Sequence, residues 1–333
     1  MWQVIGQDKT LSLLDYSLKA DAVAHAYLIV GPRHVGKGTL AMNLAQALNC
    51  DGPELPCGQC RCCQRIREGK HSDITPVGLD SRTEIGIDDI RGLQRIASLP
   101  PYEGKCKVFI IDDAEYLSTE AANSLLKILE EPPPRVVWLL LAAEEERLLP
   151  TIVSRCQRLE LKPVPSEQIQ EVLINSYKID APKARLLAQL CHGRLGWAVS
   201  VLADDDILEQ RSQRIARLSS LSAASLEQRF AYAQELASQF SQSRKAGAEI
   251  LEMWLDWWRD LVLIRGGCPE AVINVDYDTA LKEQARGLSL SEIEAFLTNL
   301  GLLREGISRN VNPRLAWEWL MLNLPRKQLS VQR

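Results

Sequence analysis

With 333 residues, 46% hydrophobic and 25% charged, the chain has material for a sizeable core and, at roughly 100–200 residues per domain, for two or three domains. The formal net charge of −4 excludes a surface that is basic all over, so any contact with nucleic acid is expected from a local patch or from inside an assembly. Met1-Trp2-Gln3-Val4 opens without a basic stretch and apolar run, and no run of about 18 apolar residues occurs. A cytoplasmic chain without membrane contact is expected.

Five short apolar runs predict strands at Ala26–Val30, Ile74–Val77, Val108–Ile111, Val136–Leu141 and Leu159–Leu161. Segments with helical spacing separate them. Strands that alternate with helices predict an α/β fold with a mostly parallel five-stranded sheet covered on both faces. Ligands of such sheets gather at the carboxyl ends of the strands. Pro163 and Pro165 follow the last run and mark a boundary. Residues 1–162 are therefore expected to form the α/β domain. Residues 163–205 form a small helical region that closes on the polar break Asp204-Asp205-Asp206, and residues 206–333 an all-helical domain. In that last domain Leu251, Trp254, Leu255, Trp258, Leu261 and Val262 recur at three and four residues, the pattern of a buried helix face.

Gly31-Pro32-Arg33-His34-Val35-Gly36-Lys37 follows the first strand and opens a helix, the context in which a G-x-x-x-x-G-K loop cradles phosphate. Glycines let backbone amides approach the phosphate, the helix start adds partial positive charge, and Lys37 adds a full one. The following position, which carries a magnesium-binding hydroxyl in such loops, is Gly38. Thr39 is the nearest hydroxyl, but one residue along a helix turns the side chain by roughly 100°. The third strand ends Ile111-Asp112-Asp113, with Asp112 where a metal-coordinating carboxylate is expected. Asp113 stands where a longer Glu would polarise water, and a misplacement on the order of 1 Å costs about a hundredfold in rate. Gly31, Gly36, Lys37, Thr39, Asp112 and Asp113 thus make up a degenerate nucleotide site. Binding of ATP or ADP is compatible with it, and hydrolysis is not expected.

Of nine cysteines, Cys57, Cys60, Cys62 and Cys63 bunch together, and Cys50 precedes them. Two-residue spacers let sulfurs point inward from a tight turn, so Cys50, Cys57, Cys60 and Cys63 are expected to close a structural zinc site within residues 50–63. Cys62 competes with Cys63 for the fourth place. Cys106, Cys156, Cys191 and Cys268 are scattered and are expected to be buried free thiols.

Four segments together resemble one family. Asn123-Ser124-Leu125-Leu126-Lys127-Ile128-Leu129-Glu130-Glu131-Pro132-Pro133 is similar to the most recognisable stretch of clamp-loader subunits, and Ser154-Arg155-Cys156 resembles their SRC motif. Val4-Ile5-Gly6-Gln7 is similar to their opening, and Asn310-Val311-Asn312-Pro313-Arg314-Leu315 to the end of the bacterial delta-prime collar. By this resemblance, which spans essentially the whole chain, the sequence is identified as a member of the clamp-loader family of the AAA+ class, on its DNA polymerase III delta-prime branch. The resemblance implies an α/β module, a helical lid and a helical collar, and the same zinc site. It also implies partnership with tau/gamma and delta subunits in a ring that acts on a sliding clamp and primer-template DNA.

In that arrangement Arg155 is the candidate arginine finger, reaching a neighbour's ATP site in trans. Two positions depart from the ATP-hydrolysing members. The sensor stretch after the fourth strand reads Leu141-Ala142-Ala143-Glu144, and the lid reads Gly193-Arg194-Leu195-Gly196, which puts Gly196 at the sensor-arginine position. With Gly38 and Asp113, four catalytic features are altered while the trans-acting arginine is kept. This pattern implies a protein that completes another subunit's active site. The competing expectations are a tau/gamma-like subunit that hydrolyses ATP and an independent zinc-containing DNA-binding protein; the acidic balance opposes the latter.

Overall fold

The computed structural model describes residues 2–79, 82–204, 206–308 and 311–325. Met1 at the chain start, Asp205 in the polar break and Asn310 in the collar motif lie outside them. The chain packs as two compact units, Met1–Ala184 with Cys191–Ala198, and Arg185–Leu190 with Val199–Arg333.

The first unit is built on five parallel strands: β1 (Ala26–Val30), β2 (Ile74–Val77), β3 (Lys107–Ile111), β4 (Val136–Ala142) and β5 (Gln157–Glu160), in the order β2-β3-β4-β1-β5. Side chains alternate across a strand, so each central strand feeds two cores. Leu28, Phe109, Ile111, Trp138 and Leu140 face one way, with Phe109 stacked on Trp138 at 4.5 Å. Tyr27, Ile29, Val108, Ile110, Leu139 and Leu141 face the other. Helices α1 (Asp8–Lys19), α2 (Lys37–Asn49) and α3 (Arg61–Arg67) supply the second core, through residues such as Leu14, Leu40, Leu44 and Ile66. Helices α4 (Ile87–Ala97), α5 (Thr119–Glu130) and α6 (Pro150–Val153) supply the first, through Ile90, Leu93, Leu125, Leu129 and Ile152.

The predicted strands are present with corrected ends. β3 begins at Lys107, β4 extends to Ala142, and β5 runs Gln157–Glu160 rather than Leu159–Leu161. β5 is an edge strand: Leu159 is buried while Arg158 and Glu160 are exposed, so its apolar signal is enough to place a strand but too short to fix its ends. Pro76 is tolerated within β2 because that strand lies at the opposite edge.

Helices α7 (Ser166–Asn175), α8 (Ala181–Leu190) and α9 (Leu195–Ala203) follow the sheet. The second unit is helical: α10 (Asp206–Ser220), α11 (Leu226–Gln242), α12 (Arg244–Arg265), α13 (Asp278–Arg286), α14 (Leu290–Ser308) and α15 (Pro313–Leu322). Its helix starts are written locally. Ser225 Oγ accepts from the Gln228 amide while Gln228 Oε1 accepts from the Ser225 amide, a reciprocal cap on α11. Asn312 Oδ1 accepts from Arg314 and Leu315 ahead of Pro313 on α15. The predicted stripe on α12 is core: Leu251, Trp254, Trp258 and Leu261 are buried, with Leu255 and Val262 packed against them. Trp254 meets Trp317 edge-on at 5.7 Å, and Trp258 lies 4.2 Å from Phe296. Two charged residues are buried with it among the described residues: Arg229 donates to the carbonyls of Leu221, Ser222 and Leu324, which lie at turns and beyond helix ends, and Asp260 accepts from the amides of Ile273 and Asn274.

Candidate functional site

The phosphate loop runs from the end of β1 into α2, at the carboxyl edge of the sheet. Gly31 has φ +151, and a Cβ there would lie 2.4 Å from the Leu161 carbonyl oxygen, so only glycine fits between β1 and the segment that follows β5. Gly36, at φ +111, starts α2 without a side-chain cap. Lys37 does not extend outward. Its Nζ donates to the Gly31 carbonyl at 2.6 Å and the Pro32 carbonyl at 3.1 Å. Burial pushes the Lys37 ammonium below its usual range, opposed by the charges of Glu115 and Asp112. Gly38 has open space at its Cβ position, and Thr39 is exposed, one step around α2 from the loop.

Asp112 and Asp113 leave the end of β3 opposite the loop. Asp113 sits in the left-handed region at φ 54, which Asp tolerates better than most residues. Its Oδ1 pairs with Arg33 Nη2 at 3.1 Å. The pair is mostly shielded, with 19% and 26% of the two side chains exposed, so solvent screens it only partly. Burial works against the Arg33 charge, but Asp113, Tyr116 and Glu115 outweigh it and hold the guanidinium above its ordinary value. Glu115 is buried, and burial pushes its carboxyl upward; its Oε1 accepts from the Ala143 amide at 3.1 Å. The expected polar sensor position is therefore occupied by a backbone amide bonded to an acid of the chain itself. Gly196 closes the arrangement. Its amide donates to the His34 carbonyl at 2.9 Å, and a Cβ on Gly196 would stand 2.7 Å from that oxygen.

Sequence reasoning gave no role to Arg33 or Glu115. The available signal was a cation inside the phosphate loop itself and an acid two residues beyond Asp113, and only the tertiary fold joins them. Gly31, Gly36, Lys37, Asp112 and Asp113 come together; Thr39 does not.

Arg155 follows α6. Its guanidinium bonds to Glu130 Oε1 at 2.7 Å and to the Thr151 carbonyl at 3.0 Å, and 35% of its side chain is exposed.

The cysteine turn lies between α2 and α3. The sulfurs of Cys50, Cys57, Cys60 and Cys63 all lie within 4.8 Å of one another, with Cys57–Cys63 at 3.9 Å and Cys50–Cys60 at 4.0 Å. Sulfurs held 2.3 Å from a tetrahedral centre stand about 3.8 Å apart, so the four can bind a metal ion with little movement. Backbone amides already point at them: Gly52 and Cys57 donate to Cys50 Sγ, Cys60 to Cys57 Sγ and Cys63 to Cys60 Sγ. Such donors stabilise thiolates. The amides of Cys60 and Gln59 hold the Cys57 thiol down to about 6, whereas burial pushes Cys63 up. Cys62 points away, 3.6 Å from Asp51 Oδ2, so the fourth sulfur of the group is that of Cys63. Of the four scattered cysteines expected to be buried, Cys106 and Cys191 are, Cys156 is half-buried, and Cys268 is exposed because it lies in the turn beyond the end of α12.

Comparison with known proteins decides the family. The profile described as DNA polymerase III, delta subunit, matches residues 6–165, and the profile for the C terminal of that delta subunit matches 207–325. The DNA polymerase III subunit delta' of Bacillus subtilis (strain 168) is 32% identical over 323 residues, 96% of each chain. The chain belongs to the DNA polymerase III delta-prime family. The DNA polymerase III subunit tau of Escherichia coli (strain K12) is 37% identical over 205 residues, 60% of this chain but only 32% of that protein. The Holliday junction branch migration motor RuvB of Thermotoga maritima is similar at 19% identity and a TM-score of 0.43, covering 59% of this chain and 60% of that one, too loose a likeness to bear on function. The first of the two profile matches, 6–165, contains the phosphate loop, both aspartates, the cysteine turn and Arg155. Among the described residues no helix is long and apolar enough to cross a membrane.

Proposed function

We propose that this chain serves as the delta-prime subunit of a cytoplasmic clamp loader, lending Arg155 to a neighbouring subunit's ATP site and hydrolysing no ATP itself. The observation that carries this is the Arg33–Asp113 pair. The residue positioned to activate water is tied to a cation of its own phosphate loop, Lys37 is turned onto carbonyls of that loop, and Gly196 is pressed on His34. A γ-phosphate would have to break these contacts to be bound. Arg155, by contrast, is partly exposed. A guanidinium in a dry interface stabilises the charge that develops on a transferred phosphoryl group, and fingers supplied in trans are worth on the order of 10³–10⁵ in rate.

Its partners in this reading are delta and tau/gamma subunits, and the assembly loads a sliding clamp onto primer-template DNA. ATP or ADP in its own pocket is not required. The cysteine turn holds a structural zinc through Cys50, Cys57, Cys60 and Cys63: four thiolates leave no open position for catalysis, and the ion ties the turn between α2 and α3 together.

The test is a complex reconstituted with the delta and tau/gamma-type subunits of the same organism. Arg155→Ala lowers clamp- and primed-DNA-stimulated ATP turnover strongly, and Lys37→Ala leaves it within about twofold. The competing reading, an ATP-hydrolysing tau/gamma-like subunit, draws on the 37% identity to tau and on the open space at Gly38. It requires Lys37→Ala to remove a comparable share of turnover, and that result would displace the first reading.

A further inference from the structure

Arg155 is not held by its own turn alone. Nη1 donates to the Thr151 carbonyl at 3.0 Å and to Ser154 Oγ at 3.4 Å, while Nη2 donates to Glu130 Oε1 at 2.7 Å. The first two acceptors are local. Glu130 is 25 positions away, on the last turn of α5. Its place relative to Arg155 is set by the core, where Leu125, Ile128 and Leu129 of α5 join the same cluster as Ile152 of α6.

Helix stability does not account for an acid there. Glu130 and Glu131 stand at the negative end of the α5 dipole, where cations are favoured and carboxylates disfavoured. Nor does the ion pair account for itself as glue. With 35% and 52% of the two side chains exposed, it belongs to the class of pairs that contribute little to folding. Orientation is what it does supply. A guanidinium has five N–H donors in a rigid fork, and the three bonds above leave two, with Nε making none among the described residues. Part of the fork stays available for phosphoryl oxygens, which arginine grips two at a time.

We propose that Glu130 is a positioning residue for Arg155: it fixes the guanidinium from the side, so that the free donors face the neighbouring subunit's ATP. This rests on the trans-acting role of Arg155 argued above. An arginine free to sample its rotamers must be ordered at every turnover, and a displacement on the order of 1 Å at a transition state costs about a hundredfold.

The experiment compares Glu130→Ala, Glu130→Gln, Arg155→Ala and the Glu130→Ala/Arg155→Ala double variant in the reconstituted complex, each checked for wild-type melting and assembly. Glu130→Ala is expected to lower kcat for ATP by roughly tenfold with KM unchanged. Glu130→Gln, which keeps an acceptor, recovers most of that loss. The double variant turns over no more slowly than Arg155→Ala, because Glu130 acts only through the arginine. Wild-type or raised kcat in Glu130→Ala, beside an impaired Arg155→Ala, overturns the positioning role; so does a further proportional loss in the double variant. If Arg155→Ala itself turns over normally, the trans-acting reading falls instead, which separates the two failures.

Discussion

The sulfurs of Cys50, Cys57, Cys60 and Cys63 converge on one another, whereas Lys37, Arg33 and Asp113 of the phosphate loop site have each found a partner inside the chain. Both regions carry a recognised binding pattern, and both lie at the ends of α2. They differ in what the fold leaves unsatisfied. Four cysteines packed together, with amides aimed at them, become a poor arrangement without a cation as soon as more than one ionises, because thiolates repel one another. A lysine on two carbonyls and an arginine on a carboxylate are already satisfied. A motif names the atoms available for binding, and the surrounding contacts decide whether those atoms are still free.

The largest effect that tests this contrast is at the cysteines. Cys63→Ser, or prolonged exposure to a strong chelator, is expected to release about one equivalent of zinc and to cost several kcal/mol, since binding energy at a structural site is folding energy. Metal analysis and hydrogen exchange over residues 50–67 read the result. Retention of full stability in the metal-free protein would make the cluster a set of ordinary thiols.

A smaller effect is expected at the seal on the phosphate loop. Gly196→Ala drives a Cβ to 2.7 Å from the His34 carbonyl oxygen and is expected to destabilise by about 1–3 kcal/mol, read by denaturant or thermal unfolding. A neutral outcome would mean that the loop and Gly196 separate readily, and the pocket is then less closed than its contacts indicate.

The smallest is Gly38→Thr, which restores the missing hydroxyl in open space. Stability is expected to change by no more than a few tenths of a kcal/mol. Nucleotide binding, followed by calorimetry with magnesium present, is expected not to appear, because Arg33 still holds Asp113. Tight magnesium-dependent binding in this variant would show that the hydroxyl, not the internal ion pair, was the deciding loss.

Much of the molecule was legible because its signals are local. The buried runs of β1 and β4 announce a two-sided sheet, Gly31 to Lys37 announces a strand-to-helix turn, and the stripe from Leu251 to Val262 announces a buried helix face. β5 was legible only in part, because an edge strand needs one buried residue, Leu159, where a central strand needs them all. The two-residue spacing pointed to Cys63 but left Cys62 as a competitor: they are neighbours in sequence, and only the helical turn of α3 sends one sulfur into the cluster and the other toward Asp51.

The sequence by itself determined the α/β architecture, the helical second half, the cysteine cluster and the positions of Lys37, Asp112, Asp113 and Arg155, because periodicity, turn chemistry and residue spacing act over a few residues. Only the tertiary structure decided that Arg33 meets Asp113, that Glu115 bonds the Ala143 amide, that Gly196 abuts His34 and that Glu130 holds Arg155. Each of these contacts joins residues far apart in the chain, the nearest of them 25 positions. Strand order and helix packing bring such residues together, and no local preference encodes which charge will lie beside which.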